Sequence, residues 1–220
     1  MVREALWQHH EEELAEITLA SEDWPNIIDV NEWRRGSRPP RGPRPRIGRH
    51  SGEDDVKWPT AASELLAVYP YSDDYEVHVL GGADAPRKVL GGLPKSWHVL
   101  EFGEVHPKDF LSTLDVFVYY TRPGWVESFG RPIIEAMAVG VPVILPHSYR
   151  NLFKEAAIYA EPAEVKASID RLMMDDDYYE SRVRTAREYV EEHFGYRVHA
   201  TRLRKTIGSE LWRDEKVGWA

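Results

Sequence analysis

Two glutamates, Glu127 and Glu135, stand with seven residues between them in the run ESFGRPIIEAMAVGVPVI, residues 127–144. Between them Gly130–Arg131–Pro132 reads as a helix start, with Pro132 at the first helical position, where its missing N–H costs nothing. Glu135 then falls in the first turn. Helical side chains lean toward the N-terminus, so its carboxylate reaches back to the helix mouth. That mouth offers unpaired N–H groups from about Phe129 to Ile134 and the positive end of the dipole, which together suit a phosphate. A carboxylate before the helix and another inside it can each accept hydrogen bonds from neutral hydroxyls. The chemistry that results is the grip of a phosphorylated, hydroxyl-rich ligand.

Such a mouth needs strands to hold it, and from Arg46 the text alternates strand with helix. IGRH (47–50), YEVHVLGG (75–82), WHVLEFG (97–103), DVFVYYT (115–121), VPVIL (141–145) and AAIYAEP (156–162) read as strands. AASELLAVY (61–69), PKDFLSTL (107–114) and stretches at about 163–174, 176–193 and 196–213 read as helices. This regular repetition predicts an α/β, Rossmann-like parallel sheet with helices on both faces. Ligands of such sheets bind beyond the carboxyl ends of the strands. Three segments fall there: GRHSGEDDVKW, EFGEVHP (101–107) and the loop from Arg122 to Gly130.

The 127–144 string resembles the E-x7-E signature of retaining glycosyltransferases of family 4, the glycosyl transferases group 1, which are built on the GT-B fold. ESFG, EAMA and G-x-PVI follow one another without gaps. The resemblance covers roughly residues 20–195 and implies the C-terminal, donor-binding half of such an enzyme. By it, Glu127 is the catalytic-site carboxylate that contacts the transferred sugar, and Glu135 takes the ribose hydroxyls. Arg49, Lys57, Phe129 and Gly130 bind the donor diphosphate, and main chain at Gly103, Glu104 and Val105 faces the nucleobase. Arg122 and Arg131 are further candidates for the phosphates. Trp125 is read as folded onto the core, and His147 as a residue of the pocket rim. Two departures stand out. Lys57 is followed by Trp58–Pro59 where the family has Gly, and the Gly pair that often follows PVI is replaced by LPHSYRNLF.

The chain has 220 residues, 42% of them hydrophobic, enough for one full core with chain to spare. Its longest apolar run, Ala136 to Leu145, is too short to span a bilayer. The first 20 residues are acidic and lack a signal-peptide pattern. There is no cysteine, hence no disulfide framework. A cytoplasmic location follows as the default expectation. The net charge of −9 argues against nucleic acid as a partner. Seven arginines and no acids lie between Arg34 and Arg49. The Arg/Pro-rich part of this run, residues 34–46, is expected to be an extended linker, with an arm resting on anionic lipid headgroups as the sharper reading. The nine histidines show no metal-ligand spacing, and the resemblance likewise implies no metal and no cofactor.

The expected organisation is therefore a remnant of an N-terminal acceptor domain and crossover segment over 1–33 and a linker over 34–46. A nucleotide-sugar-binding domain follows over 47–195, then a helical tail over 196–220. The implied partner is a nucleotide sugar, a UDP- or GDP-hexose; the implied activity is hexosyl transfer to a hydroxyl, as in polysaccharide biosynthesis. Without the acceptor domain, the resemblance implies no transfer by this chain alone. A nucleotide-sugar sensor that transfers nothing, and a sugar-nucleotide 2-epimerase of the same fold, are the rival readings.

Overall fold

The apolar runs fold as six strands of one parallel sheet: β1 (Arg46–His50), β2 (Glu76–Leu80), β3 (Trp97–Leu100), β4 (Val116–Val118), β5 (Val143–Leu145) and β6 (Ile158–Tyr159). Their order is β3-β2-β1-β4-β5-β6, and every pairing is parallel. This is the Rossmann order, which reverses between β1 and β4. The computed structural model describes residues 11–13, 23–127 and 129–207. Much of the remnant expected over 1–33, and the end of the helix expected over 196–213, lie outside those residues.

Helices cover both faces, as right-handed crossovers require. On one side Leu65 and Val68 of α2 (Ala62–Val68) and Val165, Ile169 and Leu172 of α7 (Val165–Met174) pack with Val77, Val79 and Val118 of the sheet. The other face carries α1 (Val30–Trp33), α4 (Pro107–Ser112), α5 (Arg131–Val139) and α8 (Asp176–Phe194), packed on Phe117, Val143 and Leu145. Helix α5 is apolar almost all round, and seven of its nine residues are buried. Burying a side chain such as Ile133 contributes about 1.5–3 kcal/mol, so α5 is fixed from several sides and its amino end is delivered to the point where the strand order reverses.

Two connections differ from the sequence reading. Helix α3 (Asp84–Leu90) follows β2 although Pro86 sits within it. The proline occupies the first turn, where no helical hydrogen bond is lost, and Gly91 closes the helix at φ +70°. A short helix, α6 (Arg150–Phe153), follows β5, whereas α9 (Tyr196–Ile207) follows α8 inside the stretch read as helical. Pro132 is the second residue of α5 and Glu135 the fifth, so Glu135 begins the second turn.

The Arg/Pro segment is extended, as its prolines demand, but it is held to the domain. Arg35 donates to Leu114 O, Gly140 O and Tyr179 Oη at 3.1, 2.6 and 3.0 Å. Arg38 lies 3.5 Å over the Tyr179 ring, and both Arg38 and Arg41 pair with Asp176. Arg46 grips the buried Asp115 through Nε and Nη2 at 2.9 and 3.1 Å, which raises the pKa of its guanidinium further. Residues before the segment are held too: Ile28 and Val30 belong to the core, and Ile28 N donates to Phe194 O at 3.0 Å.

Candidate functional site

Strand β1 ends at His50, and the chain turns through Ser51 into a short 3-10 turn at Asp55–Lys57. Asp54 caps that turn by accepting from Val56 N at 3.1 Å. The loop lies against the end of β2 because Gly81 has no side chain. A Cβ there would stand 1.9 Å from Ser51 O, on a backbone with φ +105°. Strand β4 leads to the second loop, 121–130, and Arg122 N donates to Val56 O at 3.1 Å, tying the two loops together. Gly130 then starts α5 at φ +79°, with Ile133 Cδ1 2.7 Å from where a Cβ would be. Its left-handed backbone, open to glycine at no steric cost, turns the loop sharply into the helix.

Both carboxylates of the signature face this junction, and each meets a cation. Glu127 Oε2 accepts from Lys57 Nζ at 2.5 Å and from the Tyr119 hydroxyl at 3.1 Å. Glu135, 5% exposed, accepts from Arg131 Nε at 2.7 Å, its carboxylate leaning back along the helix as expected. On its other oxygen, His50 Nε2 stands 3.0 Å away, close enough for an ion pair yet not aligned as a hydrogen bond. His50 was not singled out in the sequence. The signal available was its place as the last residue of a strand that ends at the junction.

Arg49 lies beneath the site instead of inside it. It is 0% exposed, and its Nη1 donates to Tyr120 O at 2.7 Å and to Tyr69 Oη at 3.1 Å. Nη2 reaches Lys57 O and, at 3.3 Å, Ser51 Oγ. Its guanidinium is sandwiched by aromatic faces, 3.8 Å from the Trp58 ring centroid and 4.8 Å from that of Tyr119. A diphosphate would have to displace these groups to touch it. Trp58, the departure after Lys57, is 3% exposed and supplies one of those faces. Burial of Tyr119 holds its hydroxyl far above the usual phenol range, against the opposing pull of Arg49, so it stays a hydrogen-bond donor to Glu127.

Phe129 turns its ring into the core against Phe153 and Phe194, leaving only its main chain toward the helix mouth. Trp125 is not folded onto the core. It is 42% exposed, with Lys57 Nζ 5.7 Å from its ring centroid. Beside it opens a cavity of about 360 Å³ lined by Tyr120, Arg122, Trp125, Glu127, Ser148 and Tyr149 among others. Arg122 is exposed, and Arg131 is half exposed. His147 is exposed beyond β5, its ring stacked on Tyr159 at 6.2 Å. Gly103, Glu104 and Val105 follow β3, farther along the same edge, with Gly103 and Glu104 exposed and Val105 half-buried. Glu104 folds back to accept from Glu101 N at 2.8 Å, which shapes that turn. A larger cavity, about 720 Å³, is lined by Leu66, Tyr71, Leu93 and Lys95 near the amino ends of β2 and β3. Parallel sheets bind ligands at the other edge, where the paired carboxylates are, and that edge carries the candidate site.

A sequence profile described as glycosyl transferases group 1 matches residues 46–175. The chain belongs to that family. No curated protein sequence matches this group 1 chain, but solved structures share its fold. A glycosyltransferase from Rickettsia africae ESF-5 has a TM-score of 0.68 at 14% identity, over 94% of this chain and 59% of that one. Anabaena Alr3699/HepE, solved with UDP and glucose, has a TM-score of 0.64 at 15% identity, over 83% of this chain and 55% of its own. The C-terminal domain of LpcC, a group 1 family protein from Francisella tularensis, gives 0.55 at 18% identity, over 77% of this chain and 99% of its own. This group 1 chain thus spans little more than half the length of the first two.

Proposed function

We propose that this chain is the C-terminal, donor-binding domain of a retaining hexosyltransferase that takes a UDP- or GDP-hexose without a metal ion. The observation that carries the reading is the placement of Glu127 and Glu135 on either side of the α5 mouth, each neutralised by a cation. The diphosphate sits at the helix mouth, where N–H groups of the first turn lack helical partners. Lys57 exchanges Glu127 for a phosphate oxygen, and Glu127, released, accepts from hydroxyls of the sugar. Glu135 exchanges Arg131 for the ribose diol, while main chain at Gly103–Val105 meets the base. Arg49 holds Lys57 and Tyr120 by their carbonyls and so positions both loops. An acceptor-binding domain completes the cleft, and the protein acts in the cytoplasm. The lipid-facing role of the arginine segment loses support from the docking of Arg35, Arg38, Arg41 and Arg46. Among the described residues no helix is long and apolar enough to cross a membrane.

Calorimetry on two variants tests the division of roles. Glu135→Gln is expected to weaken UDP or GDP and its sugar conjugate alike, by about ten- to a hundred-fold, the worth of a charge-assisted hydrogen bond. Glu127→Gln is expected to lower affinity for the conjugate only. It leaves the nucleoside diphosphate bound as well or better, because Lys57 is no longer engaged. The same pattern in both variants would refute the assignment.

A companion measurement concerns Tyr119. Tyr119→Phe removes one hydrogen bond to a charged acceptor, which contributes about 1.5–3 kcal/mol. Affinity for the sugar conjugate is expected to fall with Glu127 less well placed, while nucleoside diphosphate affinity stays within about twofold. Equal losses for both ligands would show that Tyr119 does not act through Glu127.

A further inference from the structure

Away from the donor site, Glu76, His78 and His98 form a cluster whose potential ligand atoms all lie within 4.8 Å of one another. Strand geometry produces it. Glu76 and His78 are two residues apart on β2 and so share a face of the sheet, and His98 on β3 is the register partner of His78. The two imidazoles stack with centroids 4.8 Å apart and planes 29° from parallel. His78 Nε2 lies 3.4 Å from Glu76 Oε2, too long for a strong bond. Side chains of His78 and Glu76 are 23% and 29% exposed, and His98 is exposed, so the cluster is open to solution.

We propose that Glu76, His78 and His98 form a binding site for a borderline divalent transition metal, zinc or nickel, that staples edge strand β3 to β2. Two imidazoles and one carboxylate are a common zinc donor set, with a fourth position left to water. Metal–ligand distances of about 2.0–2.2 Å place the three donor atoms slightly closer together than they stand now, within reach of side-chain rotation. The neighbouring cation, Arg46, opposes a bound metal, but its charge is balanced by Asp115 at 2.9 Å. Imidazole donors favour zinc, nickel or copper, whereas magnesium and calcium want oxygen.

Position separates this site from the chemistry of transfer. Glu76 opens β2 and His78 is at its middle, whereas the donor residues lie past the carboxyl ends of the strands. Among the described residues strand β3 is an edge of the sheet, bonded only to β2, and it leads into the Gly103–Val105 turn. A metal bridge between the strands would therefore steady that turn without touching the reacting atoms.

The test uses the full chain without an affinity tag, freed of metal by a chelator and titrated calorimetrically with zinc or nickel chloride. One ion per chain is expected, together with a higher melting temperature in its presence. His98→Gln and the double variant His78→Gln/His98→Gln should each weaken that binding by more than about tenfold and lose the thermal shift. His147→Gln, which lies after β5 and away from β2 and β3, serves as the control and should leave zinc or nickel binding unchanged, and magnesium chloride should give no binding. His98 is exposed, so its variant folds, and circular dichroism checks the double variant. Binding of equal strength and stoichiometry in the double variant, or no zinc or nickel binding to the parent chain, would overturn the proposal.

Discussion

Arg49→Ala is expected to lower folding stability by about 3–5 kcal/mol, the range for deleting a large core side chain. Three effects combine. The side chain is fully buried, so its removal opens a cavity between Trp58, Tyr69 and Tyr119. The carbonyls of Lys57 and Tyr120 lose their donor, and an unsatisfied buried polar group costs about 1–3 kcal/mol. Both aromatic faces also lose their cation. Among the described residues no carboxylate forms an ion pair with Arg49, so no counter-charge is stranded and the loss stays within the range of cavity mutants. Arg49→Lys should recover only a fraction, because a single ammonium cannot span acceptors on two loops. Urea unfolding measures this directly. A loss below about 1 kcal/mol with reduced donor affinity would return Arg49 to the ligand surface.

The burial of Arg49 also shows where sequence reading reaches its limit. The E-x7-E string is local: loop, helix start and both carboxylates lie within eighteen consecutive residues, so their mutual placement was legible before any coordinates. The strands were legible for a similar reason, since alternation and β-branching are local properties, and their parallel arrangement followed from the helices between them. Arg49 is different. Its surroundings come from residues 51, 57–58, 69 and 119–120, and only the folded sheet brings these four segments around one guanidinium. A motif arginine beside an expected phosphate site reads as a ligand until Trp58 is known to lie against it. The same holds for His50, which meets Glu135 across eighty-five positions of sequence. Trp125 is the opposite case. Composition favours a buried indole, but the loop that carries it turns outward, and the ring ends on the cavity rim beside Lys57.

The 220-residue chain by itself is expected to bind a nucleotide sugar and not to transfer it. The described residues build one Rossmann-like sheet, whereas the Rickettsia and Anabaena proteins it resembles are about one and a half times its length. On the proposed reading, the second wall of the cleft comes from an acceptor domain. Without that wall a bound sugar faces water, the leaving diphosphate is less shielded, and no hydroxyl is held for attack. Positioning two reactants lowers a barrier by about 7–11 kcal/mol, and the isolated chain forgoes most of that. On that reading Lys57, the helix mouth and Glu127 are still expected to bind the donor, because hydrogen bonds tie their loops together at the junction of β1, β4 and α5. Incubation with the best-binding nucleotide sugar and a broad mixture of hydroxyl acceptors tests this, with product read by mass spectrometry. Binding without product is the expected outcome. Transfer on the order of 1 s⁻¹ or faster would mean that the single domain carries a complete active site, and the donor-domain reading would fall with it.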